Sequence, residues 1–262
     1  MPNLHTFVIL AYQESPFLES CIKSVIDQKS EVIIATTTPN TFIKNLAKKY
    51  SLEIVPGKHT NLGGDFDFAL GIAKTPLATV VHQDDIYEKD YAQEIIKSYN
   101  KRPDSAIIFT DYYELRNNKK ITTNKNLKIK RLLLLPFYLK HSYKTKFLKR
   151  TSIALGCAIC CPSVTFVKRN CPEKIFTSNF KSNVDWHAWE RLSRKKNAFT
   201  FVPKKLMGHR ISETSETTKI INAGIRTKED YEILKRFWPK RIAKIIAKFY
   251  QNSEKSNQLK TD

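Results

Sequence analysis

A chain of 262 residues, 41% hydrophobic and 27% charged, is long enough to bury a core and too apolar to stay disordered. No run approaches the roughly 20 apolar residues of a spanning helix, because the longest, at 132–139, is broken by Pro136; the first twelve residues lack the basic start and small-residue cleavage site of a secretory leader, so a cytoplasmic location is expected. The formal charge of +20 is concentrated, with eleven Lys/Arg at 117–150, six at 235–248 and no acid in either stretch, which points to a polyanionic partner.

Residues 6–11 (TFVILA) read as a strand, 12–16 as a polar loop, and Phe17, Leu18, Cys21, Ile22, Val25 and Ile26 recur at helical spacing. The pattern continues with a strand at 31–35, a helix at 39–50, a strand at 52–55 and a helix at 66–73. Next come a strand at 78–82 (ATVVH) running into QDD, a helix at 91–99 and a strand at 106–110. After Asp111 the pattern breaks into the basic stretch. Order returns at 152–161 and 164–167, then a helix at 185–192 (DWHAWERL) and a strand at 199–202. Two closing helices are expected at 228–238 and 239–250, with Pro239 suited to the first position of the second. The polar tail from 253 onward is expected to fray. There is no internal repeat.

Five cysteines, Cys21, Cys157, Cys160, Cys161 and Cys171, are an odd number and argue against a disulfide framework. Cys157-x-x-Cys160 lacks the second pair that zinc requires. The run GCAICC is therefore expected to lie on a buried strand, its thiols packing as small hydrophobes.

Strands alternating with helices predict an α/β fold with a mostly parallel sheet covered on both faces, and ligands at the carboxyl ends of its strands. Those ends carry Tyr12-Gln13-Glu14, Thr36-Thr37-Thr38 and His82-Gln83-Asp84-Asp85. Adjacent carboxylates at Asp84 and Asp85 would repel unless a hard divalent ion such as Mg2+ or Mn2+ were shared with a substrate diphosphate. The plainer reading is that they begin a turn and cap a helix.

The order strand–YQE, strand–TTTPN, NLGGDFDFALGIAKT, strand–HQDD, VDWHAWERL and HRISETS resembles the family 2 glycosyltransferases of the GT-A fold over nearly the whole chain. The resemblance implies a GT-A-type, Rossmann-like sheet with C-terminal helices, divided into a nucleotide-sugar-binding half at 1–115, a basic amphipathic insertion at 116–150, an acceptor-binding and catalytic half at 151–215, and basic helices at 216–262. It implies that Ala11, Tyr12, Glu14 and Thr36 line the nucleobase side. Asn61, Gly63, Gly64 and Asp65 would pass the ribose and phosphates, and Asp84 and Asp85 would hold the metal and donor. His209 and Arg210 would close over the diphosphate from a mobile loop, with His209 a further metal ligand, and Asp185 would be the catalytic base of an inverting displacement. Two positions depart from the family pattern: His82 replaces the first acid of the DxD motif, and Thr36-Thr37 replace the acid that usually meets the base.

Plain alternatives stand beside these roles. Tyr12 could simply pack, Gly63-Gly64 could form a turn, Asp185 could cap its helix, His209 could be an ordinary loop residue, and Trp186 and Trp189 could stack on a sugar or fill core. The helix RIAKIIAKFY places Ile242, Ile245, Ile246 and Phe249 on one face and Lys240, Lys244 and Lys248 on another. Like the stretch from 128 to 150, it reads either as an anionic-membrane surface or as a core-packed helix with a solvated rim. A peripheral site on the inner membrane face, serving a glycan or polyprenyl-linked acceptor in cell-surface polysaccharide synthesis, is the expectation. The competing classes are a nucleic-acid-binding protein, for which no recognition motif is present, a nucleotidyltransferase, whose glycine-rich first loop is missing here, and a catalytically silent sugar-nucleotide-binding relative.

Overall fold

The computed structural model describes residues 3–211 and 225–255, with side chains to 249. The first half alternates as expected. The strands β1 (His5–Ala11), β2 (Glu31–Thr36), β3 (Glu53–Pro56) and β4 (Leu77–His82) are interleaved with helices α1 (Leu18–Ile26), α2 (Thr41–Lys49) and α3 (Leu62–Ile72). The short β5 (Ile86–Tyr87) and helix α4 (Tyr91–Lys101) lead to β6 (Ser105–Arg116) and β7 (Lys119–Ile121). The basic stretch then folds as α5 (Lys125–Leu133), α6 (Leu135–Leu139), β8 (Ser142–Tyr143) and α7 (Lys146–Thr151). Beyond it lie β9 (Val164–Val167), α8 (Val184–Ser193), β10 (Ala198–Ile211), α9 (Ile225–Leu234) and α10 (Lys240–Lys255).

One sheet runs β3-β2-β1-β4-β9-β6-β10-β5, with β7 on β6 and β8 on β10. β1 pairs parallel with β2 and β4, β2 with β3, and β6 with β10. β9 is antiparallel to both β4 and β6, so those two point the same way. Six of the strands therefore present their carboxyl ends at one edge.

Alternate residues on each strand feed two apolar layers, as a sheet covered on both faces requires. Phe7 and Ile9 join α1, α2 and α4 on one side, while Val8, Ala78, Ile107 and Phe109 join α3, α6, α8 and the closing helices on the other. Trp186 and Trp189 are fully buried in the second layer, their indole N–H groups donating to Ile153 O (2.8 Å) and Ile159 O (3.3 Å). They fill core and do not stack on a sugar.

Four expectations need correction. The run at 157–160 forms no strand and leads into a 3-10 turn at Cys161–Ser163, with Pro162 in the turn. Its cysteines are free. The strand expected at 199–202 runs on through two irregular steps in register to Ile211, so His209 and Arg210 sit on a strand and not on a loop. Helix α3 starts at Leu62, which puts the glycine pair in its first turn. Helix α10 packs through Ala243 and Ala247, leaving Ile242, Ile245 and Phe249 exposed together with Lys240, Lys244 and Lys248. It begins after Pro239, whose carbonyl accepts from Ala243 N, and it runs past 253 to Lys255. Among the described residues, no helix is long and apolar enough to cross a membrane.

Candidate donor and cation site

The three polar strand tips meet. Tyr12 N donates to Gln83 Oε1 (2.9 Å), and Gln83 Nε2 returns a bond to Tyr12 O (3.0 Å). Gln13, held at a φ of 54°, donates its N–H to Thr38 Oγ1 at 2.6 Å. A residue with a side chain adopts that backbone only where its surroundings fix it. Tyr12 and Glu14 are exposed, while Ala11 and Thr36 are buried beneath them. Plain packing does not describe Tyr12.

Beside these tips, Asn61 caps α3 by accepting from Gly64 N at 2.8 Å. The glycine pair is required by protein contacts: a Cβ on Gly63 would lie 2.8 Å from Phe176 O, and one on Gly64 only 2.0 Å from Thr60 Oγ1. Asp65 holds His59 through Oδ2 (2.7 Å), and its other oxygen is buried without a hydrogen-bond partner. Phe66, next along α3, stacks on the His82 ring with centroids 5.3 Å apart.

β4 ends in a turn closed by Asp85 N to His82 O (3.1 Å). Asp85 is fully buried, and its Oδ1 accepts from His209 Nδ1 (3.0 Å) and Arg210 N (2.9 Å). Its Oδ2 has no hydrogen-bond partner and lies 3.8 Å from His82 Nδ1. Burial and the neighbouring Asp85 charge push Asp84 above the usual carboxylate range. Burial pushes Asp85 the same way, but His209, His82 and the Arg210 N–H outweigh it and hold it low. Burial works against charge on His209, and Asp85 with Asp84 overcomes it, so its pKa lies above the ordinary value.

One donor atom from each of His82, Asp84 and Asp85 lies within 4.8 Å of the other two. Two carboxylates, an imidazole and an orphaned buried oxygen fit a divalent cation. His209, expected as a further ligand, is not one of that trio and meets Asp85 Oδ1 through its Nδ1. His82, the departure from the family's DxD pattern, supplies the third donor.

Arg210 is placed differently from expectation. Its Nε donates to Asp84 O (2.8 Å), one terminal nitrogen donates to Asn118 Oδ1 (2.7 Å), and the guanidinium lies 4.2 Å from the Phe17 ring centroid. Buried in this way, it locks the acid-bearing turn to the β6–β7 hairpin, whose Asn117 and Asn118 both adopt positive φ.

Asp185 is the second residue of α8 and not its cap, which is Asn183. It lies 3.6 Å from Cys157 Sγ. Burial raises it above the usual carboxylate range, against the pull of the Trp186 N–H, Arg226 and Lys130. The entry to α8 is set by residues that sequence reasoning missed. The Glu229 carboxylate accepts from Lys181 N (2.6 Å), Ser182 N (2.9 Å) and Asn183 N (3.0 Å), and Asp230 accepts from Asn183 Nδ2 (2.7 Å). No local signal marks a partner more than forty residues away. The later part of HRISETS lies outside the described residues.

A mostly parallel sheet flanked by helices, with the His82–Asp84–Asp85 trio at the end of β4, is the arrangement of a GT-A glycosyltransferase dependent on a nucleotide sugar. The family model "Glycosyl transferase family 2" matches residues 6–176, and the chain belongs to that family. No curated protein matches its sequence. Among solved structures it is similar to S. aureus TarS 1-349 in complex with UDP-GlcNAc, at 14% identity and a TM-score of 0.60, covering 98% of this chain and 76% of that one. It is also similar to glucosyl-3-phosphoglycerate synthase from Mycobacterium tuberculosis with Mn2+ and UDP-glucose, at 13% identity and 0.54, covering 89% and 79%. A third likeness is the mannosyltransferase PcManGT from Pyrobaculum calidifontis with GDP-Man and Mn2+, at 11% identity and 0.57, covering 97% and 75%.

Proposed function

We propose that the protein is a metal-dependent, inverting glycosyltransferase that moves a sugar from a nucleoside diphosphate to a glycan or lipid-linked acceptor. The observation that carries this reading is the presence of the His82–Asp84–Asp85 trio, with its orphaned Asp85 oxygen, together with the separate, half-buried carboxylate of Asp185. Ala11, Tyr12, Glu14 and Thr36 face the base side of the donor, and Asn61, Gly64 and Asp65 its ribose and phosphates. Arg210 keeps Asp84 and Asp85 in place. His82, Asp84 and Asp85 are the residues to hold Mn2+ or Mg2+, which would supply charge neutralisation for the departing diphosphate. An acceptor hydroxyl oxygen attacks the anomeric carbon, its proton passes to Asp185, and the bond to the diphosphate breaks with the electron pair leaving on the phosphate oxygen. Residues 1–115 act as the donor half and 151–215 as the acceptor half, with 116–150 and 216–262 as basic additions.

Hydrolysis and transfer from a panel of nucleotide sugars, with Mn2+ and with chelator, test this reading. Metal-dependent turnover of at least one donor is expected; equal rates in chelator would remove the cation site. Asp185→Asn should lower transfer by about a hundredfold or more while donor binding survives. Because its carboxyl sits high, activity should fall with decreasing pH through a value above that of an ordinary aspartate.

The acceptor is presented at an anionic membrane on the cytoplasmic face. Of the eleven large hydrophobic side chains exposed among the described residues, seven lie inside the two acid-free basic stretches and two more, Leu155 and Phe249, lie just beyond their ends. The stretches abut: Trp238 Nε1 donates to Ala154 O (2.7 Å), and Arg150 lies 4.3 Å from the Phe237 ring. Exposed apolar residues interleaved with cations match an anionic lipid surface. Sedimentation with vesicles should favour anionic over neutral lipid, and Lys244→Glu with Lys248→Glu should abolish the preference; no preference in the wild type removes the attachment.

A further inference from the structure

Lys130 is a half-buried cation of the basic stretch with no counter-ion among the described residues. Helix α5 is pinned to the sheet edge at its start, where Asn124 caps it and donates to Glu114 Oε2 (2.8 Å). Arg131 then reaches inward to Asp111 Oδ2 (2.9 Å), Tyr112 O (3.0 Å) and Thr122 O (2.7 Å), so its charge and its donors are met. Its neighbour Lys130 makes one hydrogen bond, to the neutral Tyr112 hydroxyl at 2.8 Å, and among the described residues no carboxylate lies within ion-pair distance of it. Among the described residues, two of its three N–H groups have no acceptor.

Its position is specific. The Tyr112 ring meets the His209 ring edge-on, with centroids 6.4 Å apart, and His209 holds Asp85. The same ammonium lies within electrostatic reach of both His209 and Asp185. A partly buried cation left unpaired is costly, and this one is separated from the His209–Asp85 pair by the single side chain of Tyr112.

We propose that Lys130 binds an anionic oxygen of the substrate, a phosphoryl or carboxylate oxygen, at the junction between the His82–Asp84–Asp85 trio and Asp185. This rests on the reading of the site as a sugar-transfer centre. The oxygen comes either from the donor's terminal phosphate or from an acidic group on the transferred sugar or acceptor.

Calorimetry of the full chain with Mn2+ separates these sources, using Lys130→Met against wild type and nucleoside mono- and diphosphates as probes. If the donor phosphate is the partner, the variant binds the diphosphate about tenfold more weakly and the monophosphate unchanged. If the partner is on the sugar or acceptor, diphosphate binding holds and the KM of that substrate rises by a similar factor. Unchanged binding and unchanged KM overturn the proposal. Should Lys130→Met lower Tm, Tyr112→Phe keeps the ring and removes only the hydroxyl that aims the amine. A several-fold change of the same kind is then expected, and none overturns the proposal. Wild-type protein that binds no diphosphate in Mn2+ would instead sink the site reading itself.

Discussion

In the stretch 117–150 the cations largely turn inward or find acids, whereas in α10 they turn out. Lys120 and Lys144 pair with Glu88 and Asp104, Arg131 with Asp111, and Arg150 with Glu190, while Lys130 reaches Tyr112. Lys149 is fully buried, donating to Lys195 O (2.6 Å) and Asn197 O (2.8 Å). By contrast Lys240, Arg241, Lys244 and Lys248 are exposed and make no ion pair or hydrogen bond among the described residues. Two runs of similar composition thus do different work, one tying a helical insertion to the sheet and one leaving a charged surface for something else. Net charge over a window cannot separate these cases, because only the positions of acceptors elsewhere in the chain decide them.

The contrast can be broken most forcefully at Glu190, which is almost wholly buried and receives Arg150, Arg194 and Arg236. Glu190→Gln should cost about 3 kcal/mol or more, because it strands arginines around a neutral group, and chemical denaturation measures it. Burial acts against the Glu190 charge, and the hydrogen-bonding arginines outweigh it, holding its pKa below the ordinary glutamate value. Its contribution is therefore present above that pH and is lost as pH falls through the lower folded value.

Lys149 gives the next effect, in the opposite pH range. Burial lowers its pKa from 10.5 to about 8, so between those values the unfolded chain binds more protons than the folded one. Wild-type stability should rise relative to Lys149→Met as pH increases through that window, by about 3 kcal/mol at the limit. Parallel curves would show that the amine is not held where its two carbonyl partners place it. The smallest effect belongs to the outward helix. Lys244→Glu with Lys248→Glu should shift stability by no more than about 0.5 kcal/mol, and a loss comparable to that of Glu190→Gln would mean these charges are structural after all.

Much of the first half of the chain was legible because its signals are local. Apolar runs in β1, β2 and β4 end at polar tips, and the convergence of Tyr12, Thr38 and Gln83 follows from parallel connectivity alone. Legibility failed where burial overrides pattern. Tyr112, Tyr113 and Glu114 continue β6 although they are polar, because layers on both faces cover them. Pro203, Lys204 and Lys205 hide the continuation of β10 at its irregular steps. The role of His209 could not be read locally, since Asp85 is 124 residues away in sequence. Lys130 looks no different from Lys128 until Tyr112 is placed beside it. In α10 the expected apolar stripe is split, with Ile242, Ile245 and Phe249 exposed while Ile246 packs on the core beside Ala243 and Ala247.

The carboxylate of Glu229 has a consequence for synthesis. Every acid of the strand tips has left the ribosome long before residue 229 does, so the donor end can be complete while the N–H groups at 181–183 still lack their acceptor. A chain stopped at residue 224 would retain Asp84, Asp85 and His209 yet have nothing to fix the turn that introduces Asp185. Helix α9 thereby holds the turn that introduces Asp185 from more than forty residues further along the chain.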